Sequence, residues 1–184
     1  WQRKAFIGAG QQFSMAFQPG DKIFNYEISL TDPRFLDTDY SVGGKAGYRR
    51  QDYGDYTQNS LFSRFNVGRR FGDIWYGSIS LVANRNELTD IDTNVPLEVF
   101  NDRGPSTINS LGISVTRTTL KPFIMPTEGS HTRLRIDQFG LPAGDYNFTK
   151  LYLTNTSYFA VNRDFLNRVS ALRLDSRIGY IFGG

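Results

Sequence analysis

From Ser110 to Thr116 the sequence reads Ser-Leu-Gly-Ile-Ser-Val-Thr, apolar at every second place and small or polar between. A two-residue period belongs to β-strands, whose successive side chains point to opposite faces, and does not fit the 3.6-residue period of a helix. The pattern recurs along almost all of the 184 residues. It predicts nine strands, at about 4–17, 22–31, 40–50, 57–70, 74–84, 107–118, 130–139, 146–158 and 168–181, the last of them less regular. The fold class is all-β, an antiparallel meander. Phe 15, Tyr 10 and Gly 18 agree with this, since aromatics favour strands and glycine favours tight corners and crowded sheet interiors.

The connections fall into two sets. Prolines and glycines mark 18–21, 51–56 and 140–145, which share a rim with a long polar stretch, 85–106. The other rim holds the turns after Thr31, Arg70, Lys121 and Tyr158. Of these, 119–129 is the stiffest, with Pro122, Pro126 and Gly129 close together.

Several function classes receive no support. The net charge of +3 comes from interspersed signs, with no basic run dense enough to track a phosphate backbone, so nucleic acid is not an expected partner. Zero cysteines exclude disulfides and thiolate metal sites, and the sole histidine, His131, has no histidine or cysteine partners for a metal. No nucleophile, base and orienter can be nominated together, so neither an enzyme nor a cofactor is expected. Gly8-Ala9-Gly10 precedes no helical pattern and is not a dinucleotide loop, and the Asn-Phe-Thr and Asn-Thr-Ser triplets fall within strands. No apolar run is long enough for a transmembrane helix, and the first residues lack the order of a signal peptide, which suggests a mature or trimmed segment.

Alternation of this kind fits two architectures. One is a soluble sheet or sandwich with a single wet face; the other is a transmembrane barrel with lipid outside and water within. Strands of about 11 residues suit a tilted crossing of a bilayer. The polar parity is rich in small residues, including Gly8, Gly10, Ser14, Ser78, Ser80, Ser110, Gly112 and Ser114, which suits a hydrated lumen. Phe17, Phe24, Tyr40, Tyr48 and Trp75 lie near strand ends, where interfacial girdles sit. An odd number of antiparallel strands cannot close on itself, so nine strands would be part of a larger barrel.

Four stretches, in order, resemble the barrel of Omp85/BamA-like outer-membrane proteins. They are YEISLTDPRFLDTDYSVGGKAGYRR at 26–50, SLGISVTRTTLKPFIMPTEGSHTRLRID at 110–137, GDYNFTKLYLTNTSYFAV at 144–161 and RIGYIFGG at 177–184. The resemblance implies one segment, residues 1–184, of a partial transmembrane β-barrel of Omp85 type, roughly the third to eleventh of sixteen strands. Its POTRA domains, first and last strands and seam would lie outside this chain. The rim with 85–106 would be extracellular, and the turn of Pro122, Pro126 and Gly129 periplasmic.

The implied function is the wall of a barrel that assembles and inserts β-barrel proteins in the bacterial outer membrane. Implied partners are outer-membrane lipids, unfolded β-barrel substrates and periplasmic lipoproteins reached through POTRA domains. A secretion transporter or a TamA-like factor is the alternative within the family; a passive outer-membrane pore or a soluble β binding protein lies outside it. In the barrel reading, parity assigns Trp75, Ile79, Leu81, Leu111, Ile113, Val115, Leu134, Ile136, Leu151 and Leu153 to lipid. It assigns Glu27, Lys45, Arg49, Arg64, Arg133, Arg135, Asp137 and Lys150 to the lumen, as hydrated wall charges or braces for lumenal loops.

Overall fold

The computed structural model describes residues 2–7, 10–91, 104–122, 124–165 and 168–183. Ten strands run in sequence order through a single antiparallel sheet. They are β1 (Gln2–Ile7), β2 (Gln11–Gln18), β3 (Ile23–Asp32), β4 (Tyr40–Asp52), β5 (Thr57–Phe71), β6 (Trp75–Thr89), β7 (Gly104–Thr118), β8 (Gly129–Phe139), β9 (Thr149–Arg163) and β10 (Val169–Phe182). The meander is open: β1 and β10 each pair on one side only, and no second layer packs on the sheet among the described residues.

The strand count corrects the expected nine. The first expected strand is a hairpin, in which Ile7 pairs with Gln11 and Gly10 adopts φ +85°, a conformation glycine takes without steric cost. Gly10 therefore makes a turn, and Gly8 and Ala9 lie outside the described residues. The long connection is also shorter than 85–106. Arg85 to Thr89 continue the β6 ladder and Gly104 to Ser106 begin β7, leaving 90–103, of which 92–103 lie outside the described residues. Ladder hydrogen bonds need no apolar side chains, so strands continue past the point where hydrophobicity stops. The expected eighth strand starts later, at Thr149, and extends to Arg163. The last strand is regular over 14 residues, with one register shift between Ser170 and Ala171.

No hydrophobic residue is buried among those described. What is buried lies almost wholly on one face: Gly43, Gly47, Gly68, Ser110, Gly112, Thr116 and Asp137, with Thr57 the exception. A flat single sheet would expose both faces alike. Burial confined to one face means that the sheet curves toward it and that its own long polar side chains cover it. This is the inner face below.

Strand register, more than hydrophobic burial, holds this architecture together. Apart from the register shift between β9 and β10, every neighbouring pair is a continuous ladder; β5 with β6, for example, runs unbroken from Thr57↔Thr89 to Phe71↔Trp75. Within the 119–128 corner the Lys121 carbonyl accepts from Thr127 N–H and Glu128 N–H, both at 3.1 Å, and Lys121 N–H donates to the Glu128 carbonyl at 2.9 Å. Gly129 closes it at φ +96°, where a Cβ would stand 2.1 Å from the Thr119 carbonyl oxygen.

Candidate functional site

Register sorts the expected residues onto two faces. On the outer face Ile79, Ile113, Ile136 and Leu151 form one cross-strand row, and Val115, Leu134 and Leu153 form the next. Leu81 pairs with Leu111, and Trp75 shares their parity. Ile79 and Ile113 are each 54% exposed, so these rows are uncovered by protein.

The inner face gathers the expected charges in two groups. In the first, Lys45 Nζ meets Glu27 Oε2 at 2.8 Å and lies 5.6 Å from the centre of the Phe62 ring. Phe62 occupies the space left by Gly47, where a Cβ would stand 2.5 Å from Phe62 Cζ. Arg49 and Arg64 line the same hollow, about 500 Å³ in volume, with Ser60, Asn84 and Asn86. Neither arginine joins an ion pair among the described residues, so the hollow carries net positive charge.

The second group lies across β7 to β9. Arg135 Nε donates to both Asp137 oxygens, at 2.9 and 2.7 Å, and Nη2 reaches Ser80 Oγ at 3.4 Å. Gly112 makes room for this pair, since a Cβ there would lie 2.2 Å from Asp137 Oδ1. Lys150 faces Asp137 in register, yet its ammonium lies over the Tyr152 ring, 5.8 Å from the centre. The partner of Asp137 is therefore on its own strand. Arg133 Nε donates to Thr116 Oγ1 at 3.2 Å. His131 Nδ1 bonds Thr118 Oγ1 at 2.9 Å, and no group of three or more metal-ligating side chains occurs among the described residues.

Pattern reading missed two features. Inner-face aromatics lie over glycines: Tyr76 crosses Gly68, where a Cβ would meet its hydroxyl at 1.9 Å, and that hydroxyl bonds Ser41 Oγ at 2.9 Å. The signal was a bulky ring on the small, polar parity. The outer face also bears a polar cluster, in which Asn155 Nδ2 donates to Thr132 Oγ1 at 2.7 Å and Ser157 Oγ donates to Asn155 Oδ1 at 2.8 Å. Their mutual hydrogen bonds remove much of the penalty for leaving water.

A long, open antiparallel meander with one apolar face, one charged face and no internal apolar core is the architecture of a β-barrel wall. Residues 6–184 match the model of the Omp85 superfamily domain. The chain belongs to that superfamily. Among solved structures it is similar to BamA from Haemophilus ducreyi lacking POTRA domains 1–3, with 18% sequence identity and a TM-score of 0.71. The match covers 99% of this chain and 38% of that one, so the segment spans well under half of its structural relative.

Proposed function

We propose that this segment is the wall of a bacterial outer-membrane β-barrel that assembles and inserts other β-barrel proteins. The carrying observation is the superfamily match along residues 6–184 of a sheet with an apolar outer face and a charged inner one. Outer-membrane lipid then covers the rows around Ile79, Ile113 and Leu134, and water fills the space bounded by Arg64, Arg135 and Asp137. The corner with Pro122, Pro126 and Gly129 is periplasmic, and the 90–103 connection is extracellular.

Backbone N–H and C=O groups cannot go unpaired in hydrocarbon, so in a bilayer the free edges of β1 and β10 must meet further strands. On this reading the segment acts mechanically. Its paired strands hold the arc of the wall, while substrate pairing by strand addition takes place elsewhere on the barrel. Unfolded β-barrel proteins are the substrates, and POTRA domains with periplasmic lipoproteins deliver them. No step calls for an enzyme or a cofactor.

The test reconstitutes the full-length protein in lipid vesicles and follows folding of a urea-unfolded β-barrel substrate by its gel mobility shift. Faster folding than in empty vesicles is expected. Equal rates overturn the assembly role, and ion conductance without acceleration would assign a passive pore.

A further inference from the structure

We infer that the outer face beside the corner rim binds an anionic membrane phospholipid, through Arg69, Arg117 and the groove over Gly77. The inference rests on the proposal that this face meets lipid. Along β7 the outward run Leu111, Ile113, Val115 ends at Arg117, and along β5 the run Phe65, Val67 ends at Arg69. Both cations thus sit where an apolar surface gives way to a rim, the depth of lipid headgroups. Aromatic rings hold them there: the Arg69 guanidinium lies 5.0 Å from the Tyr40 ring centre and 5.3 Å from that of Phe71, and Arg117 lies 5.9 Å from Trp75. Arg69 Nη1 also donates to the Tyr40 hydroxyl at 3.2 Å.

Among the described residues neither guanidinium has a carboxylate partner. Asp39 and Asp73 lie in the adjoining turns, but no ion pair joins them to either arginine. In register, Arg69 sits opposite Gly77 and Trp75 opposite Arg117, so the two cations are two ladder spacings apart across β6 and two residues apart along it, about 12 Å between their backbones. Arg69 lines a groove of about 320 Å³ together with Val67, Gly77, Ile79, Ile113 and Val115, and Arg117 follows Val115 by two residues on the same face. The missing side chain at Gly77 helps to shape it. Two unpaired cations at one end of an apolar trough match the charge and form of an anionic headgroup on an acyl chain, where a zwitterionic headgroup would bring its own ammonium against them.

Trp75 supplies the reporter. With Trp1 replaced by Phe it is the only tryptophan of this segment, which has Trp 2, and tryptophans elsewhere in the full-length protein are replaced by Phe as well. This single-tryptophan full-length protein is placed in mixed vesicles, and quenching of Trp75 by brominated phosphatidylglycerol is compared with quenching by brominated phosphatidylcholine at equal mole fraction. Phosphatidylglycerol is expected to occupy the site preferentially, and R69Q and R117Q each to reduce that preference about fivefold, the factor for about 1 kcal/mol per basic residue at a membrane surface. R70Q removes the same charge from the inner face of the same rim and should change nothing. Equal quenching by the two lipids overturns the site, as does an equal loss in R70Q, which would make net charge the cause. If neither brominated lipid quenches Trp75, the lipid-facing assignment itself fails, an outcome distinct from the other two.

Discussion

Replacing Gly112 with alanine tests whether the inner face is organised by close contacts. Gly112 does not occupy the left-handed region, so its backbone accepts alanine without strain, and in open space the change would stabilise by about 0.4–1 kcal/mol through the unfolded chain. The space is not open. The new methyl would stand 2.2 Å from Asp137 Oδ1, 2.8 Å from Ser80 Oγ and 3.2 Å from Arg135 Nη2. Ser80 can rotate away, but Asp137 is only 8% exposed and holds Arg135 through both oxygens. Displacing it weakens a charge-assisted contact worth about 1.5–3 kcal/mol.

Set against the gain in the unfolded chain, the expected net loss for G112A is about 1–2 kcal/mol. In a D137A background the crowding oxygen is gone, and the same substitution should be neutral or slightly stabilising. A double-mutant cycle by urea unfolding of the full-length protein in vesicles reads the coupling directly. If G112A costs the same with and without Asp137, the contact is not what keeps this position small.

Two further substitutions probe the faces. I113R should destabilise the vesicle-inserted protein by about 2–4 kcal/mol, while S114R, on the inner face, should be milder; equal losses in the same urea titration would contradict the inside–outside assignment. G68A should cost about 1–3 kcal/mol by overpacking against the Tyr76 ring, and Y76A should remove most of that penalty; a cost for G68A that persists in Y76A would deny that the ring fills the glycine's space.

Facing was legible in the sequence because it depends on parity alone. Ile113 and Ser114 fall on opposite faces wherever the strand ends, so the sorted sets survive errors in its boundaries. The β1–β2 hairpin was invisible for the same reason. Ile7 pairs with Gln11 across a loop of odd length, so residues before and after the turn keep one parity and the alternation reads straight through it. The ends of β6 and β7 were lost differently: Arg85, Asn86 and Glu87 are polar on both faces, yet they stay in the ladder, since strand pairing satisfies backbone groups whatever the side chains. Pairing within the charged face was not legible at all. Register puts Lys150 opposite Asp137, but Arg135, two residues away on the same strand, reaches the carboxylate with better geometry, and a linear pattern carries no side-chain geometry.

The absence of any buried hydrophobic residue among those described decides what this sheet needs from its surroundings. In water the outer rows would leave Ile79, Leu81, Ile113, Val115, Leu134 and Ile136 each 41–54% exposed, a contiguous apolar patch of the kind that marks an interaction surface. The edges of β1 and β10 would present unpaired backbone groups, which invite association with other chains. Covering the outer face with protein would solve the first problem and leave the second; pairing the edges alone would do the reverse. Closure by further strands within a bilayer meets both demands at once, and it requires a polar, small-residue inner face that tolerates curvature and water. Gly112 beneath Asp137 and Gly68 beneath Tyr76 are where that requirement is written most tightly, because there the inward curve brings side chains into space that only glycine leaves free.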